Sequence, residues 1–387
     1  MKTAFNHVTL IVLLAALTSV TPLSIDTYLP SMPAIAHSLG VGIEKIEATI
    51  SIFLLFFAIG QMVGGILSDR MGRRKTALLG LGIFSLANFA LYLTTSLNEL
   101  YLFRAVQAFA GGLAIVNSSA IVRDLFHGTE AAKVFSTIAS ITMIAPMIAP
   151  AIGSVIISFF PWNTVFLFLG IYSSAVTFAL FSKLPETGSR STTNILDAYK
   201  RVLTHREAIS YILALTFSFS GMFIFIEKSS FIYMEYFRAD HRLFPFLFGA
   251  NVLVMIGMTR LNIKLVKTFQ PRSILKTGIT VQFIAGLTLL GISFHPNIVA
   301  VFVVMTLYVG ILGLIFGNGM SLALEFFKHD SGVANSVIGV TEFTIAGVIG
   351  YIASSFNTGE LTPVFVMMSL TSFMAILALR LNVKQLS

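Results

Sequence analysis

Apolar runs of about 20 residues recur along the whole chain, each long enough for a helix to cross the hydrocarbon of a bilayer. They fall at residues 7–29, 46–68, 76–96, 99–122, 133–159 and 162–182, and again at 208–236, 243–259, 274–293, 297–324, 332–356 and 361–380. In hydrocarbon the backbone finds no water, so a spanning segment must be a helix or a strand of a closed barrel. Barrel strands are short and alternate apolar with polar side chains. These runs are continuous, and the sequence predicts an all-α membrane protein. Composition agrees: 56% of residues are hydrophobic and 11% charged, against roughly 25% charged in soluble domains.

The only long polar interval, 184–207, carries Pro185, Gly188 and a Ser-Thr-Thr run, and it separates two sets of six spans. The expected organisation is a six-helix bundle at 1–183, a cytoplasmic linker at 184–207 and a second six-helix bundle at 208–387. No small-residue cleavage site follows the first apolar run, so that run is expected to stay as a span rather than leave as a signal peptide. Of the 25 lysines and arginines, only Lys45, Arg238 and Arg242 fall in loops on one side, and Arg104 and Lys228 fall within spans. The rest lie on the opposite side, among them Arg70, Arg73, Arg74, Lys75, Arg123, Lys183, Arg201, Arg260, Lys264 and Arg380. Under the positive-inside rule both termini are then cytoplasmic. The net charge of +8 thus records membrane orientation and not nucleic-acid binding. With Cys 0, disulfides, thiolate metal sites and a cysteine nucleophile are excluded. The histidines show no HExxH spacing and no phosphate-binding Gly-Lys-Ser/Thr loop occurs, so neither an enzyme nor a self-contained ATP pump is expected. No cofactor or metal is expected.

Charged residues inside spans mark routes for ions or substrate by default. Asp26 sits in the first span within Thr21-Pro-Leu-Ser-Ile-Asp-Thr-Tyr-Leu-Pro30. Pro22, Asp26 and Pro30 recur every four residues, on one helix face, and prolines free backbone carbonyls beside the carboxylate. Asp26 is either a proton-carrying group or a helix-packing or capping residue. In the fourth span Arg104, Gln107 and Gly111 share a face. Arg104 either biases the protonation of a nearby carboxylate, with Asp26 at similar depth, or snorkels to the outer interface. Adjacent Glu227 and Lys228 diverge around the seventh helix and are not expected to pair with each other; Glu227 is the second candidate carrier of a proton or cation. Glu342 lies on a stripe with Asn335, Gly339, Ala346 and Gly350 that suits a cavity wall, close helix packing, or both. Glu325, Lys328 and Asp330 read as gate chemistry or a solvated helix end. Tyr28 is placed for contact with an amphipathic ligand, Asn117 for a hydrogen bond across helices or simple packing, and Trp162 as an interfacial anchor.

Four motifs carry a family resemblance. Gly65-Ile-Leu-Ser-Asp-Arg-Met-Gly-Arg-Arg-Lys75 resembles the loop between the second and third helices of the major facilitator superfamily, with a degraded echo at Arg260-Leu-Asn-Ile-Lys264. Arg104-Ala-Val-Gln-Ala-Phe-Ala-Gly111 resembles that family's arginine-bearing motif, associated with proton coupling. Ala145-Pro-Met-Ile-Ala-Pro150 followed by Gly153-Ser154 resembles the two-proline form of its exporter motif, with Ser154 replacing the usual second glycine. Pro22-Leu-Ser-Ile-Asp-Thr-Tyr-Leu-Pro-Ser-Met-Pro33 resembles the opening of the bicyclomycin/chloramphenicol-resistance-like drug:proton antiporters.

The resemblance implies a twelve-helix fold of two pseudo-symmetric six-helix halves that exports small amphipathic drugs or antimicrobials in exchange for protons. An exporter of an endogenous metabolite or siderophore on the same scaffold is the alternative. It implies proton coupling through Asp26 and Arg104; the placement of the other residues adds Glu227 as a further coupling group and Tyr28, Gln107, Asn117 and Glu342 as substrate contacts. It implies a conformational switch at Gly65, Asp69, Arg70, Gly72, Arg73, Pro146, Pro150 and Gly153, where Gly65 permits close approach and Gly72 a tight turn. The expected partners are the substrate, protons and membrane lipid, with no nucleic acid. The expected setting is a monomer in the bacterial inner membrane.

Overall fold

A computed structural model describes residues 7–187, 195–327, 331–356 and 359–381. Among the described residues, twelve helical segments are long and apolar enough to cross a membrane: His7–Leu39, Ile43–Met71, Arg73–Tyr92, Leu97–Leu125, Lys133–Phe159, Thr164–Lys183, Arg206–Tyr236, Phe244–Leu265, Pro271–Ile292, Ile298–Leu324, Val333–Ser355 and Thr362–Arg380. They are numbered here as spans one to twelve. Residues 188–194 of the polar interval, with Lys328 and Asp330, lie outside the described residues; the interval also holds a short helix, Ile195–Thr204.

Two compact units divide the chain: Met1–Gly42 with Ile52–Thr192, and Ile43–Ser51 with Thr193–Ser387. The first nine residues of span two thus group with the second unit. In the first unit, span three packs on spans four and six, and span one on spans four, five and six. In the second, span nine packs on ten and twelve, and span seven on ten, eleven and twelve. The two units therefore repeat one packing scheme. Side chains facing outward, such as Leu86, Phe178 and Phe246, are large and apolar, as a lipid-facing surface requires.

Glycines set the closest helix approaches, because van der Waals packing rather than water exclusion holds helices together in lipid. A Cβ on Gly112 would strike the Phe57 carbonyl and the Gln61 amide; one on Gly313 would strike the Met255 carbonyl and the Thr259 amide. The same contact is built twice, once per unit. Gly60 and Gly64 of span two meet the backbone of Phe109 and Leu113. Gly65, expected to permit close approach, faces open space instead; helical rotation places its neighbour Gly64, not Gly65, on the packed face.

Several spans are broken where the sequence carries prolines or small residues. Span one runs past its expected end: helix His7–Asp26 is followed by a 3-10 turn at Leu29–Ser31 and a helix at Met32–Leu39. Pro30 and Pro33 start new helical turns here, since a proline is tolerated in the first turn of a helix where its missing N–H costs nothing. Span five breaks before Pro146, between helices Gly128–Thr142 and Ala145–Phe159. Span seven ends in a π-helical turn, Phe231–Tyr236. Span four opens on Ser96-x-x-Glu99, where Ser96 Oγ accepts from the Glu99 amide at 3.4 Å and Glu99 Oε2 from the Ser96 amide at 3.3 Å, a reciprocal cap that satisfies two otherwise orphaned donors.

Candidate functional site

In the first unit the polar centre is assembled on the break in span one. Asp26 is the last residue of its helix and is 4% exposed. Gly153 of span five lies against the carbonyl of the next residue, Thr27, and near Pro30. The proline-glycine motif thus supports the break beside the carboxylate. Pro150 and Gly153 are buried there, while Pro146 is half-buried.

Arg104 is 0% exposed, which excludes a snorkelling position. Its Nη1 donates to Gln107 Oε1 at 2.7 Å and to the Ser24 carbonyl at 3.3 Å. Its guanidinium carbon lies 4.7 Å from the centre of the Tyr28 ring and 4.8 Å from that of Phe53. Gln107 Nε2 in turn donates to Asn88 Oδ1 at 2.7 Å, and Asn88 to the Phe84 carbonyl at 2.8 Å. Among the described residues no ion pair or hydrogen bond joins Arg104 to Asp26. The helix ends at Asp26, so carbonyls of its last turn lack helical donors, and the arginine serves Ser24 rather than the carboxylate. Nε and Nη2 of Arg104 are buried without a hydrogen-bond partner; the aromatic faces offset part of that loss.

Tyr28, Gln107 and Asn117, expected as substrate contacts, have partners inside the first unit instead of an open polar face. Tyr28 is fully buried beside Arg104. Asn117 accepts from Ser68 Oγ at 2.6 Å and donates to the Leu113 carbonyl at 2.8 Å. The bond to Ser68 crosses helices, which is one of the two roles expected for Asn117, but it joins this residue to the inner loop. There Arg73 pairs with Asp69 at 2.5 Å and with Asp124 at 3.3 Å, and donates to Ser68 Oγ at 2.8 Å. Gly72 takes φ 99° between two helices, a turn that favours glycine. Thr187 donates to Asp124 at 3.1 Å and the Arg74 amide to Glu186 at 3.2 Å. Arg70 is exposed. Asp124 and Glu186 had no sequence signal, since either reads as an ordinary charged helix end.

The second unit repeats part of this design. Asn318, the counterpart of Asn117, donates to Asn262 Oδ1 at 2.7 Å and to the Leu314 carbonyl at 2.7 Å, joining spans eight and ten as the Ser68–Asn117 bond joins spans two and four. The interval from Asn117 to Asn318 also separates Asp26 from Glu227. It separates Arg104 from Met305, so the buried cation has no counterpart at that position.

Glu227 accepts from Ser51 Oγ at 2.8 Å and from Ser354 Oγ. Lys228 turns elsewhere, to Glu47 at 2.6 Å. As expected, the adjacent pair do not bond to each other. Glu47, one residue inside a span's start, reads from the sequence as a helix end, which is why its part was missed. Its one local signal is Ser51, a helical turn later. Glu342 is 5% exposed, and its Oε1 has no partner among the described residues. The next residue, Phe343, stands in an aromatic cluster with Phe219 and Phe223, at ring separations of 5.4 and 6.1 Å. Glu235 and Glu325 are exposed.

Among known proteins, the chain is 30% identical over 379 residues to a bicyclomycin resistance protein homolog of Haemophilus influenzae, covering 95% of this chain and 94% of the relative. It is 26% identical over 357 residues to the multidrug resistance protein MdtL of Klebsiella pneumoniae, covering 89% and 90%. The fold is similar to the crystal structure of a D-xylose-proton symporter, with a TM-score of 0.77 at 14% identity over 95% of this chain and 96% of that one. A family model described as Major Facilitator Superfamily matches residues 14–351. Twelve spans, a packing scheme built twice and a motif-bearing inner loop lead to the same place: the chain is a multi-pass membrane transport protein and belongs to the Major Facilitator Superfamily.

Proposed function

We propose that this protein exports small amphipathic drugs or antimicrobials from the cytoplasm in exchange for protons, by alternating access. Asp26 carries the reading: a carboxylate buried at a helix break, with no cation bonded to it among the described residues. Burial without a counter-ion opposes a charged carboxylate, so binding and releasing a proton changes the stability of whatever arrangement surrounds it. Transport follows when that change and substrate binding favour opposite-facing states. Relatives named for bicyclomycin and multidrug resistance support the substrate class.

In this reading Asp26 is the principal coupling group and Glu227 its counterpart in the second half. Arg104 holds the broken end of span one through Ser24 and Tyr28. Glu342, with an unspent buried oxygen, recognises a cationic part of the substrate. The network of Asp69, Arg73, Ser68 and Asn117 latches the inner loop. The halves are 1–183 and 208–387, joined by a cytoplasmic linker at 184–207. Both termini are cytoplasmic, and a monomer in the bacterial inner membrane suffices.

The test is transport in proteoliposomes under an imposed pH gradient, with bicyclomycin and the lipophilic cation ethidium as probes. Wild type should move them against their gradients, and Asp26→Asn should lose gradient-driven movement while remaining folded. Full proton-driven accumulation by D26N would overturn the coupling assignment.

A further inference from the structure

Among the described residues, the second unit buries three carboxylates, Glu47, Glu227 and Glu342, and one ammonium, Lys228. Three of the four form one cluster. Lys228 Nζ donates to Glu47 Oε2 at 2.6 Å, with the side chains 2% and 0% exposed. The neighbouring Glu227 accepts from Ser51 on Oε2 and from Ser354 on Oε1. Span eleven makes room for it, since a Cβ on Gly350 would strike the Glu227 carboxylate.

The charges do not balance. Two ionised carboxylates face one ammonium, and among the described residues the contacts from span eleven are Ser354 and Gly350, neither of them charged. Glu342 lies two turns further along that helix. On span two the remaining charged group within electrostatic reach is Glu44, one turn before Glu47, and its charge is again negative; Lys45 beside it is exposed. An uncompensated charge out of water is costly, and one proton removes it. Both oxygens of Glu227 already accept serine hydroxyls. Oε1 of Glu47 is buried with no hydrogen-bond partner among the described residues, and a proton adds there without displacing a donor.

We propose that Glu47, Lys228 and Glu227 form a second exchangeable-proton site, in which the proton sits on the unpartnered Oε1 of Glu47. Proton uptake forms one O–H bond on Glu47 and takes the cluster from one net negative charge to none. Lys228 remains an ammonium within the cluster, its charge then balanced by Glu227; release of the proton breaks that O–H bond and restores the negative charge. This assignment rests on the proton-coupled reading above and adds Glu47 and Lys228 to the residues that carry it.

Infrared difference spectroscopy of the purified full-length protein in lipid nanodiscs, titrated with acid and base without any drug, reads the site directly. Wild type should show carboxylic-acid C=O bands that disappear as pH rises, and one component, which persists in Asp26→Asn and Glu342→Gln backgrounds, should belong to this site. Glu47→Gln and Glu227→Gln should each remove it, since either leaves one carboxylate paired with one ammonium. Lys228→Met should enlarge it, since both carboxylates then need protons. Glu47→Asp, which keeps the acid and guards against a misfolded E47Q, should retain a shifted signal. A signal unchanged in E47Q, or not enlarged in a folded K228M, overturns the proposal. Because no drug enters the measurement, a protein that titrates as expected but exports neither bicyclomycin nor ethidium would reject the efflux reading and leave this site standing.

Discussion

Gly153 lies directly against the carbonyl oxygen of Thr27, the residue that follows Asp26. The contact holds span five to the broken turn of span one, and no side chain fits between them. Gly153→Ala should force the helices apart and destabilise the protein by about 1–3 kcal/mol, the usual cost of overpacking. Gly65→Ala, with nothing within reach of the added methyl, should stay within about 0.5 kcal/mol of wild type. Thermal unfolding of the two purified variants separates them, and equal midpoints would refute the packing role of Gly153.

Arg104 should be hard to replace, even by lysine. Lysine keeps the charge but loses the flat guanidinium that faces Tyr28 and Phe53, and the two cations are not interchangeable at stacked sites. Methionine removes the donor to Gln107 as well, leaving a buried acceptor unsatisfied at a cost of about 1–3 kcal/mol. Stability is expected to fall from wild type to R104K to R104M. An R104M protein as stable as wild type would show that the bond to Gln107 contributes nothing.

The inner-loop bond between Ser68 and Asn117 joins spans two and four, and the bond between Asn262 and Asn318 joins spans eight and ten. Each should appear as a non-additive pair in a double-mutant cycle to alanine, with a coupling of about 0.5–3 kcal/mol. Ser68 also accepts from Arg73, so its cycle should report on transport rate too, whereas the Asn262 cycle touches no such arginine. Strict additivity in the first cycle would remove Asn117 from the switch network.

Glu342→Gln should weaken binding of ethidium, a permanent cation, by about tenfold, equivalent to about 1.4 kcal/mol, and leave bicyclomycin unaffected. Fluorescence binding titrations with the purified variant measure the first, and competition measures the second. Equal affinities for both probes before and after the change would reject charge recognition at Glu342.

The absence of cysteine from the sequence makes orientation easy to test. A membrane-impermeant maleimide added to intact cells should label Arg242→Cys and not Lys75→Cys, and permeabilised cells should label both. Labelling of Lys75→Cys from outside would invert the topology.

Length and hydrophobicity alone placed the twelve spans, because a helix that satisfies its own backbone in lipid needs only about twenty apolar residues in a row. The glycine-bearing inner-loop motif likewise marked the tight turn at Gly72. Which groups meet was decided only by the tertiary structure. The sequence offered Arg104 as a partner for Asp26 at similar depth, yet the arginine bonds to Ser24 and Gln107. It presented Glu47 as a helix end, yet Lys228, far along the chain, pairs with it. Depth along a helix follows from counting residues, whereas partners depend on how each helix is rotated and packed, which many distant contacts fix together. Asp26 was therefore legible as a buried carboxylate from the start, and its lack of a bonded cation became visible only once the helices were assembled.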